Sequence, residues 1–273
     1  MSAATVTAPA AAGEGRIGPR ANLRHIGALV RRNLLWIRQD PESMLDAVLM
    51  PIVFTLLFVF VFGGAIAGTH NRDAYVNYVV PGLMAMMGMN MAMGVGTGFN
   101  QDFQTGVMDR FRSLPIARSS VLIAKIVVEI GRMMVATAIL LTVGFLLGLS
   151  VSSVPGLFAA IGLAAVFGFG VMWIFLTLGI VMKNAQAIQM MGFLVLMPLQ
   201  FGSSIFAPTN TMPGWLQAFT DYNPLSSLAD AARGLMMDGG QPIAHDVLVT
   251  LIWSVVLTAV MAPIAIRKYT TKS

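Results

Sequence analysis

Six stretches of this chain are long and apolar enough to cross a bilayer, and they constrain its fold more tightly than any motif does. They run over 47–66, 79–99, 133–149, 157–182, 187–206 and 247–266. A hydrocarbon core about 30 Å thick takes about 20 helical residues, which each stretch approaches or exceeds. Pro198 in the fifth stretch predicts a kink there. With 56% hydrophobic against 11% charged residues and a mean hydropathy of +0.77, the composition lies outside the range of soluble domains. The chain reads as an all-α integral membrane protein with six transmembrane helices.

Charge sets the orientation. Of seventeen Lys and Arg residues, six precede the first span, five lie over 110–132, one is Lys183 and three follow the last span. Arg72 and Arg233 alone fall in the alternate loops. The positive-inside rule therefore places both termini and the 102–132 segment in the cytoplasm, with the chain multi-pass in the plasma or inner membrane. The net charge of +5 follows from this topology, and no nucleic-acid partner is expected. The absence of cysteine excludes disulfides, thiolate zinc clusters and thiol chemistry.

Residues 1–22 are Ala-rich without a continuous Leu-rich core, and read as a disordered tail, not a cleaved signal peptide. Gly13, Gly15 and Gly18 reproduce the dinucleotide-binding spacing, but no strand precedes them and no βαβ unit fits around them. From residue 23 to 39 the pattern turns helical. Ile26, Leu29, Val30, Leu34 and Ile37 share one face, while Arg24, Arg31 and Arg38 recur every seven residues on another. With Trp36 at its flank, this is an N-terminal interfacial helix that meets membrane lipid. It either steadies the first span or guards a lateral entrance.

The second span holds Met84, Met86, Met87, Met89, Met91 and Met93. Thioethers bind Cu(I), but these six are spread around the whole helix with no Cys or His beside them. Flexible methionines also repack around dissimilar apolar ligands. Met86, Met89, Met93 and Phe99, with Met190 and Phe201 of the fifth span, are the candidate pathway, against ordinary packing as the alternative. Gly94 with Gly98, and Gly144 with Gly148, form small surfaces that permit close helix contact.

The spans are almost empty of ionisable groups, whereas ion-coupled carriers need such groups near mid-membrane. Glu129 comes closest, and its spacing from Lys125 and Arg132 predicts a mutually paired cytoplasmic extension of the third span. His25, His70 and His245 are scattered, no metal-ligating cluster appears, and no G-x-x-x-x-G-K-[ST] loop is present. The chain is not expected to be an enzyme or to bind a cofactor. Its energy has to come from another chain.

Between the second and third spans, Gly106 breaks the helix and Val107, Phe111 and Leu114 form an apolar ridge over 107–114. Asp109, Arg110 and Arg112 occupy other faces, and Pro115 ends the element. Such a ridge seats either in a partner's groove or against its own protein.

The core D-R-F-R-S-L-P-I-A-R at 109–118 resembles the cytoplasmic coupling motif of type-two ABC exporter permeases, in particular the daunorubicin-resistance permease group. R-N-L-L-W-I-R-Q-D-P-E with L-M-P before and within the first span, M-P-G-W-L-Q at 212–217, N-P at 223–224 and R-G-L at 233–235 agree in kind and order. The resemblance covers the chain after about residue 22, as a single six-span permease domain over 23–273. It implies a subunit that pairs with a second permease copy, identical or related, and docks two copies of a nucleotide-binding ATPase, which hold the ATP and Mg. It assigns coupling to Asp102, Gly106, Asp109, Arg110, Phe111, Leu114 and Pro115. One departure is the uncharged Phe103-Gln104-Thr105 where many relatives are more acidic.

Residues 207–246 are too long for a turn, and the resemblance implies an extracellular re-entrant segment there, a lid or a static cap, with Phe206, Trp215 and Phe219 as the candidate gate. Met, Phe and Leu without fixed charge favour an amphiphilic or hydrophobic cargo: a drug, an antibiotic or a lipid-like compound. A polysaccharide or lipid-linked glycan permease is the alternative, and an ion-coupled secondary transporter a further one.

Overall fold

Apolar runs without internal water partners close their hydrogen bonds along the helix, and the described part of the chain is helical accordingly. A computed structural model describes residues 41–64, 72–107, 118–237 and 243–271, together with Gly27 and Val30. The 1–22 tail lies outside the described residues. So do Arg24, Arg31, Trp36 and Arg38 of the interfacial helix, and Asp109, Arg110, Phe111, Leu114 and Pro115 of the coupling segment.

Among the described residues there are eight α-helices and no strand. They are α1 (Pro41–Leu57), α2 (Arg72–Gln104), α3 (Arg118–Leu146), α4 (Val154–Val181), α5 (Ala185–Phe201), α6 (Gly214–Tyr222), α7 (Pro224–Met236) and α8 (Ala244–Thr271). A π-helical turn, Phe58–Phe62, continues α1. Four helices, α2, α3, α4 and α8, are long and apolar enough to cross a membrane, while 47–62 and α5 are apolar but shorter.

Two elements differ from the expected spans. The fifth stretch, expected to run to residue 206, is helical only to Phe201. Pro198 has no N–H for the preceding turn, and Gly202 leaves the helical region at φ −88°, ψ 29°, its own N–H donating back to the Pro198 carbonyl at 2.8 Å. The third ends at Leu146 instead of 149, while its helix starts at Arg118 and carries Lys125, Glu129 and Arg132 on the helical extension expected there, facing α2. The local sequence sets the starts of the other elements. Ser153 accepts from the Gly156 N–H to cap α4, and Asn184 accepts from Ala187 to cap α5.

Helix α2 is the most buried of the long helices, packed against α4, α3, α7 and α5, whereas α8 lies on α4 with most of its surface exposed. The backbones of α2 and α4 approach closely. A Cβ at Gly96 would collide with the Phe175 carbonyl, and one at Gly179 would lie 2.5 Å from the Gly96 oxygen. Buried Asn100 then spans the same crossing, donating to the carbonyls of Gly179 at 3.1 Å and Met182 at 2.9 Å. The glycines expected to mediate close contact, Gly94 and Gly98, do something else: they leave room for the charged side chains of α3, with Glu129 Oε2 3.6 Å and Lys125 Nζ 3.5 Å from where their Cβ atoms would be.

Gly96→Ala forces α2 and α4 apart and is expected to lower stability by about 1–3 kcal/mol, the usual range for overpacking. Gly131→Ala in α3, where nothing lies within 4 Å of the added carbon, is the control and should not lower the melting temperature of the detergent-purified protein.

Candidate functional site

A cavity of about 370 Å³ opens between α1, α2 and α5. Its wall is thioether and aromatic: Met50, Phe54 and Phe58 from α1 and its π turn, Met86, Met87, Met91 and Met93 from α2, Phe193, Met197 and Phe201 from α5, and Phe206 beyond it. Three polar side chains join them, Asn90, Gln200 and Arg132. Gln200 donates to the Asn90 carbonyl oxygen at 2.9 Å, a crossbar between α2 and α5. A pocket of this size, mostly apolar with a few placed polar groups, suits a small amphiphile.

One end of the cavity is bounded by charge. The Arg132 guanidinium meets both Glu129 oxygens at 3.0 Å through Nη1, and a turn and a half away Lys125 forms an ion pair with Asp102 of α2 at 2.6 Å. Lys125 thus serves the helix across from it instead of completing a triad with Glu129. The Asp102 pair ties the end of α2 to the start of α3, the two helices that flank the 108–117 segment. Gly106, at φ +70°, ends α2's last turn in a left-handed conformation that glycine adopts without strain.

The other end is closed by an unwound segment. Past Phe201 the chain runs through Gly202, Ser203, Ser204, Ile205 and Phe206, and the carbonyls set free there are met by side chains. Asn223 donates to Leu199 and Gly202, Thr220 also to Gly202, Tyr78 to Ser204 at 2.6 Å and Tyr75 to Phe206 at 3.3 Å. Arg233 reaches the Ser204 and Ile205 carbonyls at 2.8 and 3.1 Å and the Tyr78 carbonyl at 2.8 Å, its guanidinium 3.8 Å above the Tyr78 ring and paired with Asp230. Gly82 lets α2 come this close, since a Cβ there would lie 2.8 Å from the Ile205 oxygen. The segment so held presents Phe206 to Phe58 at 4.4 Å and to Phe201 at 5.2 Å between ring centroids.

Of the expected pathway residues, Met86, Met93 and Phe201 line the cavity. Met89 is buried in the helix core, Phe99 is buried edge-on against Phe103 and Tyr269, and Met190 is 69% exposed, outside the cavity wall. Of the expected gate residues, Phe206 is at the cavity, Phe219 covers Gly202, and Trp215 is 75% exposed on α6. Among the lining residues missed are Asn90, Gln200, Arg132, Phe54 and Phe58. For the first two a signal existed, since each is an amide side chain inside an otherwise apolar stretch.

The ABC-2 type transporter family matches residues 24–237 of the chain. The chain is 37% identical over 243 residues to the daunorubicin resistance ABC transporter permease protein DrrB1 of Streptomyces coeruleorubidus, covering 89% of this chain and 84% of that protein. It is 27% identical over 236 residues to the probable doxorubicin resistance ABC transporter permease protein DrrC of Mycobacterium tuberculosis, covering 85% and 83%. A putative transport permease, ycf38, of Pyropia yezoensis is 21% identical over 224 residues, covering 78% and 74%.

Arg233→Met removes the donor to three carbonyls and leaves that of Ile205 without its side-chain partner, while Ser204 keeps Tyr78. An unmet buried polar group costs about 1–3 kcal/mol, so the melting temperature should fall and amide hydrogen exchange over 199–206 should rise. Exchange over 244–271 serves as the internal reference and should stay unchanged.

Proposed function

Because the chain belongs to the ABC-2 type transporter family, we propose that it is the membrane-spanning permease subunit of an ATP-driven exporter carrying an amphiphilic or hydrophobic compound outward. The observation that carries the cargo class is the cavity, walled by methionine and phenylalanine, with its one charged lining residue paired to Glu129. No Trp or Tyr is among its lining residues, which disfavours a glycan that would stack on such rings. The drug-resistance permeases among the relatives support a drug or antibiotic as the cargo.

In this reading the protein crosses the membrane six times as one domain over 23–273. The helix continuous from Pro41 to Phe62 reaches about 30 Å at roughly 1.5 Å per residue and makes the first crossing. Helix α5 with the unwound 202–206 segment makes the fifth, which side-chain partners allow at membrane depth. The Lys and Arg distribution supports cytoplasmic termini, an interfacial helix carrying Arg24, Arg31, Trp36 and Arg38, and α6 with α7 as the extracellular re-entrant cap. The cytoplasmic 107–114 helix seats on a nucleotide-binding ATPase, two copies of which serve a pair of permease chains, identical or related. ATP and Mg belong to that ATPase. Asp102 and Lys125 hold the base of the coupling segment, so a push on it passes into α2 and α3 together.

Co-expression with a P-loop ATPase should yield a complex that takes up daunorubicin into inside-out vesicles only when ATP is supplied. Phe111→Ala with Leu114→Ala should leave membrane insertion intact and reduce that uptake at least about tenfold, about 1.4 kcal/mol of lost coupling. Uptake driven by an ion gradient without any ATPase would overturn the reading. The base of the segment is tested separately: Asp102→Lys should impair ATP-driven uptake, and adding Lys125→Asp should restore much of it by re-forming the pair in reverse.

A further inference from the structure

The Asn90–Gln200 crossbar leaves half of its hydrogen-bonding capacity unused inside an apolar cavity. Gln200 Nε2 donates to Asn90 Oδ1. Among the described residues, neither the Asn90 amide nitrogen nor the Gln200 amide oxygen has a partner, although Gln200 is only 8% exposed. Both groups belong to side chains that line the cavity, where a ligand can meet them. The pair thus keeps one open donor group, on Asn90, and one open acceptor, on Gln200. The remaining polar lining residue, Arg132, is matched by Glu129, so the wall offers no net charge to draw an ion. The same cavity is lined by Met86, Met93, Phe54, Phe193 and Met197, side chains that conform to a flat apolar body.

We propose that Asn90 and Gln200 are specificity-determining residues that bind the cargo through a hydrogen-bond donor and acceptor on its edge, such as a carboxamide, lactam or comparable group on a ring system. The inference rests on the export reading above only in taking the cavity as the seat of the cargo. It separates this chain's cargo from simple hydrocarbons and lipids: a ligand without that edge leaves the two amide groups unmet, and one with it replaces missing partners. Polar sites discriminate strongly against analogues that lack the matching group, whereas apolar walls discriminate weakly. The crossbar also joins α2 to α5, so a cargo bound to it touches both walls of the cavity at once.

The test compares two probes with the same rings, anthraquinone and anthraquinone-2-carboxamide. Their binding to the full chain in nanodiscs is measured by equilibrium dialysis and corrected for uptake by protein-free nanodiscs. The wild type should bind the carboxamide about tenfold more tightly than the parent. Asn90→Leu with Gln200→Met, which replaces both amides by apolar groups of similar shape, should bring the ratio to about one while anthraquinone binding persists. Asn90→Asp keeps an acceptor for Gln200 but removes the open donor, and should reduce the ratio in the same way. Equal binding of the two probes by the wild type, binding of neither, or a preference that survives in both variants refutes the assignment. No ATPase enters this measurement, so its failure would leave the transport reading to stand or fall on ATP-driven uptake.

Discussion

In a medium without hydrogen-bond donors, a carbonyl released from its helix has to be met by a side chain, and the end of α5 releases several in succession. Leu199, Gly202, Ser204, Ile205 and Phe206 each find one, from Asn223, Thr220, Tyr78, Arg233 and Tyr75. Those donors come from α2, α6 and α7, so satisfying the break determines where three other elements lie. Asn223 does this while capping α7 through the Leu225 N–H. Arg233 binds α2 as well as the unwound chain, and Gly82 is the one residue that lets α2 approach closely enough. Phe201 and Phe206 stand at the two ends of this held turn, and both line the cavity.

At the opposite end the same problem arises with charge in place of backbone. Charged side chains within long apolar helices are tolerable when paired, and here the pairs are short: Asp102 with Lys125 and Glu129 with Arg132. Glycines at 94 and 98 give these groups room against α2. Helix α2 therefore has three faces with three duties. One meets the α4 backbone at Gly96, one carries the charged side chains of α3, and one offers methionines and Asn90 to the cavity. The helix that carries Asp102 at one end thus also forms a wall of the cavity.

Much of this was legible without coordinates. The apolar stretches locate every long helix, Pro198 marks the place where α5 fails, and the methionine run at 84–93 supplies four of the cavity's lining residues. Other features were illegible for a definite reason. Six methionines around a whole helix carry no preferred face, so periodicity cannot separate Met86 and Met93, at the cavity, from Met89, in the core. Phe99 and Met190 look alike by composition, yet one is buried against Tyr269 and the other faces outward. Lys125 has Glu129 one turn away by spacing, and chooses a carboxylate on another helix.

Sequence alone determined the class: the apolar composition and the length of the apolar stretches specify a multi-pass membrane protein built of helices. These are properties of solvation, which sums over residues and needs no neighbours. Tertiary structure alone decided which side chains meet: that Asn90 finds Gln200, that Arg233 closes over Ser204 and Ile205, and that Gly96 faces a carbonyl. Hydrogen bonds and close packing depend on distances between segments far apart in the chain, and a pattern read along one helix at a time does not contain them.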